Sequence, residues 1–506
     1  MREFRRVLVA NRGEIALRII RTLKTLGMES VAIYSDADIE ALHVFEADKA
    51  FRLPGVYPKD TYLDSHQIVE IARRADCDSI HPGYGFLSEN ADFSRLCRDN
   101  SLKFIGPSPE TLETSGNKMA CKKIAELKGV PVIPYKKEPL GDAEEAIKYS
   151  MEIGFPVLLK SAFGGGGRGI KEAKSKEDVR EAFESSKREA KSAFGRFAAY
   201  VEKKLKSPRH IEIQVLASDD SSEVLHLGER ECSIQRRYQK LVEISPSPVV
   251  DEKTRELLAR HAIAMAKAVK YSNAGTVEFL RDSGTGEFYF LEINSRLQVE
   301  HPVTELVTGV DLVANQIRIA QGKKLPLRQE EVKLRGAAIE CRINSEDPLS
   351  DFEPVAGTVD YLRIPSGPGV RVDTMLYEGL EITPYYDSLL AKLISSGSSF
   401  EQARKREIIA LNEFKIVGVK STIPFHRQVM ANQFFAKGEL NTSFIDESGV
   451  MRKLSDEARQ ATLDSFAVAA LLLSEKRFRN HIQSTAGSPR PQWEDVRKGG
   501  RFVDGL

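Results

Sequence analysis

Apolar residues recur along this chain with two different periods, and the switches between them mark its elements. RVLVA (6–10) is a continuous apolar run of a length that suits a buried strand. NRGEIALRIIRTLKTLG then places Ile15, Ile19, Leu23 and Leu26 on one helical stripe, and Gly27 stops it. SVAIYS (30–35) is a strand again, so the chain opens with a strand–helix–strand unit. DSIHPGYGF and LKFIGPS carry the α/β pattern to about residue 115. A helix around 117–128 follows, and GVPVIPY (129–135) reads as a proline-bearing hinge.

Beyond the hinge, about 136–203, the spacing predicts helix EEAIKYSMEIG, strand PVLLKSA, a glycine loop, helix KEDVREAFESSKREAKSAF and strand AAYVEK. From 208 the pattern turns β-rich: HIEIQVLAS, EVLHLGERECSIQ, GTVEFLRD and EFYFLEIN. A helix over 310–321, strand GAAIECRI and the turn-rich stretch 346–370 lead on to about 450. In 451–506, SDEARQATLDSFAVAALLLSEK predicts one apolar-faced helix, free to dock on a partner subunit or on its own domain, and SPRPQWEDVRKGGRF a polar tail. A chain of 506 residues exceeds one ordinary core. The expected fold is α/β, α+β in parts, divided as 1–116, 117–330 with a lid at about 136–203, 331–450 and 451–506.

Charge removes several functions. Lys+Arg 74 against Asp+Glu 73 leaves +1, so no global field recruits nucleic acid or an anionic membrane. The N-terminal apolar run is too short for a signal peptide, and no later segment approaches a membrane span. Five scattered cysteines with no C-x-x-C read as reduced thiols of a cytoplasmic protein.

Three stretches carry candidate chemistry. LLKSAFGGGGRGIK (158–171) sets four consecutive glycines between strands, where backbone N–H groups can press against an anion, and Lys160 enters the loop as a phosphate partner. This is no Walker A loop, because no Gly-Lys-Ser/Thr follows; the lone Gly13 likewise argues against a dinucleotide fold. The reading is a lid closing on a nucleotide. GTVEFLRDSGTGEFYFLEIN reads as a hairpin. A loop at 282–286 pairs Arg281 with Glu287 and Glu278 with Phe290, which makes Glu278 and Glu292 diagonal neighbours roughly 7–8 Å apart at their backbones. Such carboxylates can hold Mg²⁺ between their tips, whereas an even-length loop would put them on opposite faces.

EINSRLQVE (292–300) alternates Glu292, Asn294, Arg296, Gln298 and Glu300. Fully extended it would span roughly 26 Å, too long for one small-molecule site, so the strand should end near Asn294. Arg296 and Gln298 then grip a small oxyanion and Glu300 takes its proton. Arg342 in ECRINSED is a cation among apolar strand residues, in need of a substrate anion or an internal ion pair.

NRGEIALRI (11–19), IHPGYGFLSENADF (80–93), FIGPS (104–108), KSAFGGGGRG (160–169), PRHIEIQ (208–214), ERECSIQRR (229–237), EINSRLQVEHPVTE (292–305), ECRINSEDP (340–348) and PYYDSLLAKLI (384–394) together resemble the biotin carboxylase family of ATP-grasp enzymes. The likeness runs from about residue 5 to 448 in the family's order. It implies a Rossmann-like N-terminal domain, an ATP-grasp domain with a glycine-rich lid, and a β-rich C-terminal domain. It also implies that ATP phosphorylates bicarbonate to carboxyphosphate, which carboxylates biotin on a carrier protein.

Carried over by motif, Lys118, Lys160, Gly166, Gly167, Glu202, Lys203, Leu205, His210, Gln235, Glu278 and Leu280 would contact ATP. Glu278, Glu292 and Asn294 would hold Mg²⁺ or Mn²⁺. Lys240, Arg296, Gln298 and the Val299 amide would bind bicarbonate, with Glu300 as base. Arg342 would stabilise the biotin enolate, and Tyr84 and Gly85 would line the biotin pocket. Tyr238 departs from the pattern, standing where many members have His. With no A-M-K-M biotinylation site in the chain, the resemblance implies a separate carrier protein and carboxyltransferase, forming an acetyl-CoA, propionyl-CoA or pyruvate carboxylase, and a homodimer or larger complex. The rivals are another ATP-grasp ligase, such as half of a carbamoyl-phosphate synthase, and a nucleotide-binding regulator without turnover.

Overall fold

The opening strand–helix–strand unit grows into a parallel sheet of five strands. The computed structural model describes residues 3–161, 170–193, 199–325 and 327–485. Strands β1 (Arg6–Val9), β2 (Glu29–Ser35), β3 (Lys49–Leu53), β4 (Ser79–His81) and β5 (Lys103–Phe104) lie in the order β3-β2-β1-β4-β5. Helix α1 (Gly13–Thr25) buries Ile15, Ile19 and Leu23, and Gly27 follows with φ +69°, a turn that a side chain would strain.

Beyond the hinge, β6 (Val157–Ser161), β7 (Ile170–Ala173) and β8 (Ala199–Lys203) form an antiparallel sheet in the order β7-β6-β8. The helices Ala143–Ile153 and Lys176–Ala193 match the expected pair. Gly166 and Gly167 lie outside the described residues, as does the rest of the four-glycine loop.

An eight-stranded sheet dominates the remainder. It runs β13 (Phe288–Asn294), β12 (Asn273–Arg281), β9 (Arg209–Ala217), β10 (Val224–Arg236), β11 (Gln239–Ser245), β14 (Ala337–Asn344), then the strands Leu389–Gly397 and Val370–Thr374. The expected boundary near 330 therefore divides one continuous sheet, because β14 continues the ladder of β11. All nine residues of β9 are buried, the four polar or charged ones included, so their polar groups must be satisfied inside the protein.

Two structural units partition the chain, Met1–Val450 and Met451–Leu506. The second is described, up to residue 485, by the helix Val450–Thr485, which exposes Leu463, Phe466, Val468, Leu471, Leu472 and Leu473. The polar tail expected after it lies outside the described residues. Among the described residues no helix is long and apolar enough to cross a membrane, and all five cysteines are free thiols.

Candidate active site

Strand pairing gathers the charged residues. Glu292, Glu278, Glu212 and Arg230 oppose one another directly across β13, β12, β9 and β10, so three carboxylates share one rung with a single guanidinium. Like charges set directly opposite destabilise a sheet, and burial aggravates that; Glu212 and Arg230 are both 0% exposed. Cations from outside the rung balance it. Arg230 bonds Glu212 and reaches Gln214 at 2.6 Å, Thr304 at 2.9 Å and Thr276 at 3.0 Å. Lys240 Nζ lies 2.5 Å from Glu212, 2.7 Å from Glu278 and 2.8 Å from Glu300. Lys118 stands 2.7 Å from Glu292, and His210 Nε2 is 3.2 Å from Glu278.

The hairpin departs from the expected register. Its connection is 282–287, because Arg281 pairs with Phe288 and Phe279 with Phe290. That connection is even in length, which would place Glu278 and Glu292 on opposite faces. A β-bulge at Leu291 inserts one extra residue and restores the match, so Glu278 faces Glu292 directly and not diagonally. β13 then ends at Asn294, as its length predicted. Leu297 is wholly buried in the core that contains Ile15 and Val9, and Pro302 opens the helix His301–Thr308. Between these anchors the chain curls, leaving Glu300 at the helix start.

Glu300 is the hub of the curl. It accepts from Lys240 at 2.8 Å and from Arg342 at 2.8 Å, while Arg342 Nε donates to Glu243 at 2.6 Å. Burial alone would push the Glu300 carboxyl up, but Lys240, Arg342 and Arg230 outweigh it and hold it well below the usual carboxylate range. Burial likewise opposes the charge on Glu278, and Lys240 with His210 overcomes it. Glu243 differs: burial pushes it up to about 7 in spite of Arg342. The buried cation at Arg342 thus has internal partners, one of them the candidate base.

Arg296 donates to Gln298 Oε1 at 3.1 Å and to Glu89 at 3.2 Å. Among the described residues, Gln298 Nε2 is buried without a hydrogen-bond partner, an orphaned donor beside a guanidinium that suits a small anion. Glu278, Glu292 and Asn294 offer only carboxylate and amide oxygens, a hard donor set that fits Mg²⁺ or Mn²⁺. His210, Glu212 and Glu278 also bring ligand atoms within 4.8 Å of one another, but Lys240 already bridges the two glutamates there.

On the candidate nucleotide side, Glu202 on β8 lies between Lys122, at 2.6 Å, and Lys160. Gln235 Nε2 is 2.7 Å from His210 Nδ1, which leaves the ring proton on Nε2 facing Glu278. Leu280 pairs with His210 across the sheet. Leu205 is half-buried between β8 and β9. The Lys203 ammonium bonds the carbonyls of Gly154 and Phe155 at 2.9 and 3.0 Å, so its backbone, not its charge, is what it can offer a nucleotide. Tyr238 sits 47% exposed with φ +65° in the turn between β10 and β11. Tyr84 is flanked by Gly83 and Gly85, at φ +63° and +68°, and bonds Glu14.

Sequence reasoning missed Glu14, Lys122, Glu212, Arg230, Glu243 and Lys392. Glu212 had a signal, since it follows His210 by two residues in HIEIQ and shares its face. Lys122 had one too, standing one helical turn after Lys118 in the helix expected over 117–128, whereas the others depend on long-range packing, which no local pattern displays.

Comparison with known proteins adds three family models in sequence order. "Biotin carboxylase, N-terminal domain" matches residues 3–112, "Carbamoyl-phosphate synthase L chain, ATP binding domain" matches 117–328, and "Biotin carboxylase C-terminal domain" matches 340–447. Biotin carboxylase 1 of Bacillus subtilis is 47% identical over 447 residues, covering 88% of this chain and 99% of the relative. A pyruvate carboxylase subunit of Methanothermobacter thermautotrophicus is 47% identical over 462 residues, 90% of this chain and 94% of the relative. Among solved structures, the Hydrogenobacter thermophilus 2-oxoglutarate carboxylase biotin carboxylase domain dimer, in complex with MgADP, ADP and bicarbonate, superposes with a TM-score of 0.86 at 46% identity. It covers 89% of this chain and 99% of that one.

Proposed function

The chain belongs to the biotin carboxylase family, and from that premise we propose how its residues divide the ATP-dependent carboxylation of biotin by bicarbonate. The carrying observation is the position of Glu300, clamped between Lys240 and Arg342 and two residues from Gln298, whose Nε2 has no hydrogen-bond partner among the described residues. Arg296, Gln298 and the Val299 amide bind bicarbonate beside Lys240. Glu300 takes the bicarbonate proton. Its carboxylate is a weak base, so the transfer proceeds because Lys240 and Arg296 stabilise the carbonate dianion more than they stabilise bicarbonate.

A carbonate oxygen then attacks the γ-phosphorus of ATP, the bond to ADP breaks, and carboxyphosphate forms. Phosphoryl transfer asks for alignment and charge neutralisation more than for covalent help. Lys118 and Lys160 supply positive charge, His210 offers its Nε2 proton, and Glu202, Lys203, Leu205, Gln235, Leu280, Gly166 and Gly167 shape the nucleotide pocket. Glu278, Glu292 and Asn294 would hold Mg²⁺ or Mn²⁺, which neutralises phosphate charge when bound. In the second half, the C–O bond of carboxyphosphate breaks and the phosphate released takes the N1′ proton of biotin, so that N1′ bonds the carboxyl carbon; Arg342 stabilises the enolate form of the ureido ring, and Tyr84 and Gly85 line the biotin pocket.

Biotin arrives on a carrier protein, and a carboxyltransferase subunit selects the acceptor: acetyl-CoA, propionyl-CoA, pyruvate or another acid. Relatives named as carboxylase subunits and as a domain dimer support that assembly and a homodimer. Five free thiols support a reducing compartment, the cytoplasm. The test is ADP release at saturating ATP. It should require bicarbonate and rise on adding free biotin; release indifferent to both rejects the reading.

A further inference from the structure

One buried ammonium has no part in the roles above. Lys392, on the strand Leu389–Gly397, is 0% exposed and directly opposes Arg342 on β14 and Asp373 on the strand Val370–Thr374. Its Nζ stands 3.2 Å from Glu14 and 3.8 Å from Asp373, and donates to the Val299 carbonyl at 3.2 Å. The same ammonium lies 5.8 Å from the centroid of the Tyr84 ring, whose hydroxyl bonds Glu14. Four other segments, at Glu14, Tyr84, Val299 and Asp373, converge on this one cation.

Charge balance explains the contacts with Glu14 and Asp373. It does not explain the bond to a neutral carbonyl. That carbonyl belongs to the peptide joining Val299 to Glu300, and holding it fixes a rigid plane from which the Glu300 side chain departs. On the other flank, Glu14 holds Tyr84 between two left-handed glycines.

We propose that Lys392 is a positioning residue that couples the biotin side of the site, through Glu14 and Tyr84, to the Val299–Glu300 peptide on the bicarbonate side. The inference rests on the roles proposed above for Tyr84, Val299 and Glu300. Biotin packing against Tyr84 acts on the Tyr84–Glu14 bond, and the shared ammonium transmits that change to the base. Bicarbonate turnover then rises when biotin is present because the two sides share one charged contact.

The experiment measures ADP release by the full-length protein at saturating ATP, with bicarbonate varied in the presence and absence of free biotin. Lys392→Met should raise KM for bicarbonate by about ten- to a hundredfold, reduce biotin stimulation by about tenfold, and leave KM for ATP within about twofold. Glu14→Gln keeps the shape and a hydrogen-bond acceptor for Tyr84 but removes the charge that Lys392 faces. It should lower biotin stimulation with little change in bicarbonate KM without biotin, and it serves if the lysine variant fails to fold. Unchanged bicarbonate KM and undiminished stimulation overturn the inference. So does a uniform loss of activity that follows the folded fraction, the signature of a merely structural lysine. Wild-type protein that ignores both bicarbonate and biotin would instead refute the proposed function itself.

Discussion

Glu202 shows how far single residues in this site are driven from their ordinary chemistry. Its carboxyl is wholly buried, which alone would favour the neutral acid, yet Lys122 and Lys160 bring it down from 4.5 to about 2. A folded-state value below the unfolded one adds stability above pH 4.5, and that stability is lost as pH falls from there towards 2. The shift corresponds to at most about 3 kcal/mol. Lys160 offsets part of it, because burial holds its own pKa below the usual lysine range. Glu202→Gln should therefore lower stability by roughly 2 kcal/mol at pH 7, and its deficit against the wild type should shrink between pH 5 and about 3. Urea midpoints collected across that range check the sign. A deficit independent of pH would mean that the fold does not hold the Glu202 carboxyl below its unfolded value.

At the scale of elements, the β12–β13 hairpin separates what local pattern reveals from what only pairing reveals. The apolar run in EFYFLEIN and the alternating row from Glu292 to Glu300 were legible, as was the end of the strand near Asn294, because a straight strand outruns any small ligand. The α1 stripe was legible for the same reason, a clean period with a glycine stop. The bulge was not, since Leu291 looks like any other apolar residue of a buried strand and its displacement arises from packing of the whole pair. Lys392 and Arg230 stayed hidden because their partners lie far away in sequence, at Glu14 and Glu212. Deleting Leu291 should remove the bulge and turn either Glu278 or Glu292 away from the other. Mg²⁺-dependent ATP binding, followed by calorimetry, should then weaken by about tenfold or more, with the circular dichroism spectrum retained. Unaltered affinity in a folded deletion variant would show that the opposed pair does not hold the metal.

Across the whole molecule, every proposed contact falls within Met1–Val450, one of the two structural units. The Bacillus relative is matched over 99% of its own length by 88% of this chain, and the C-terminal family model ends at residue 447. The helix Val450–Thr485 therefore lies almost entirely beyond the shared core, and it carries exposed apolar side chains from Leu463 to Leu473. A patch of that kind lowers solubility when nothing covers it. A chain ending at Val450 should consequently keep bicarbonate-dependent ADP release within about twofold, since no group assigned to binding or proton transfer is removed. It should also stay monodisperse to higher concentration than the full chain, as read by light scattering. A truncated protein that folds but no longer couples ADP release to bicarbonate would place part of the catalytic machinery, or the support for it, in the C-terminal helix.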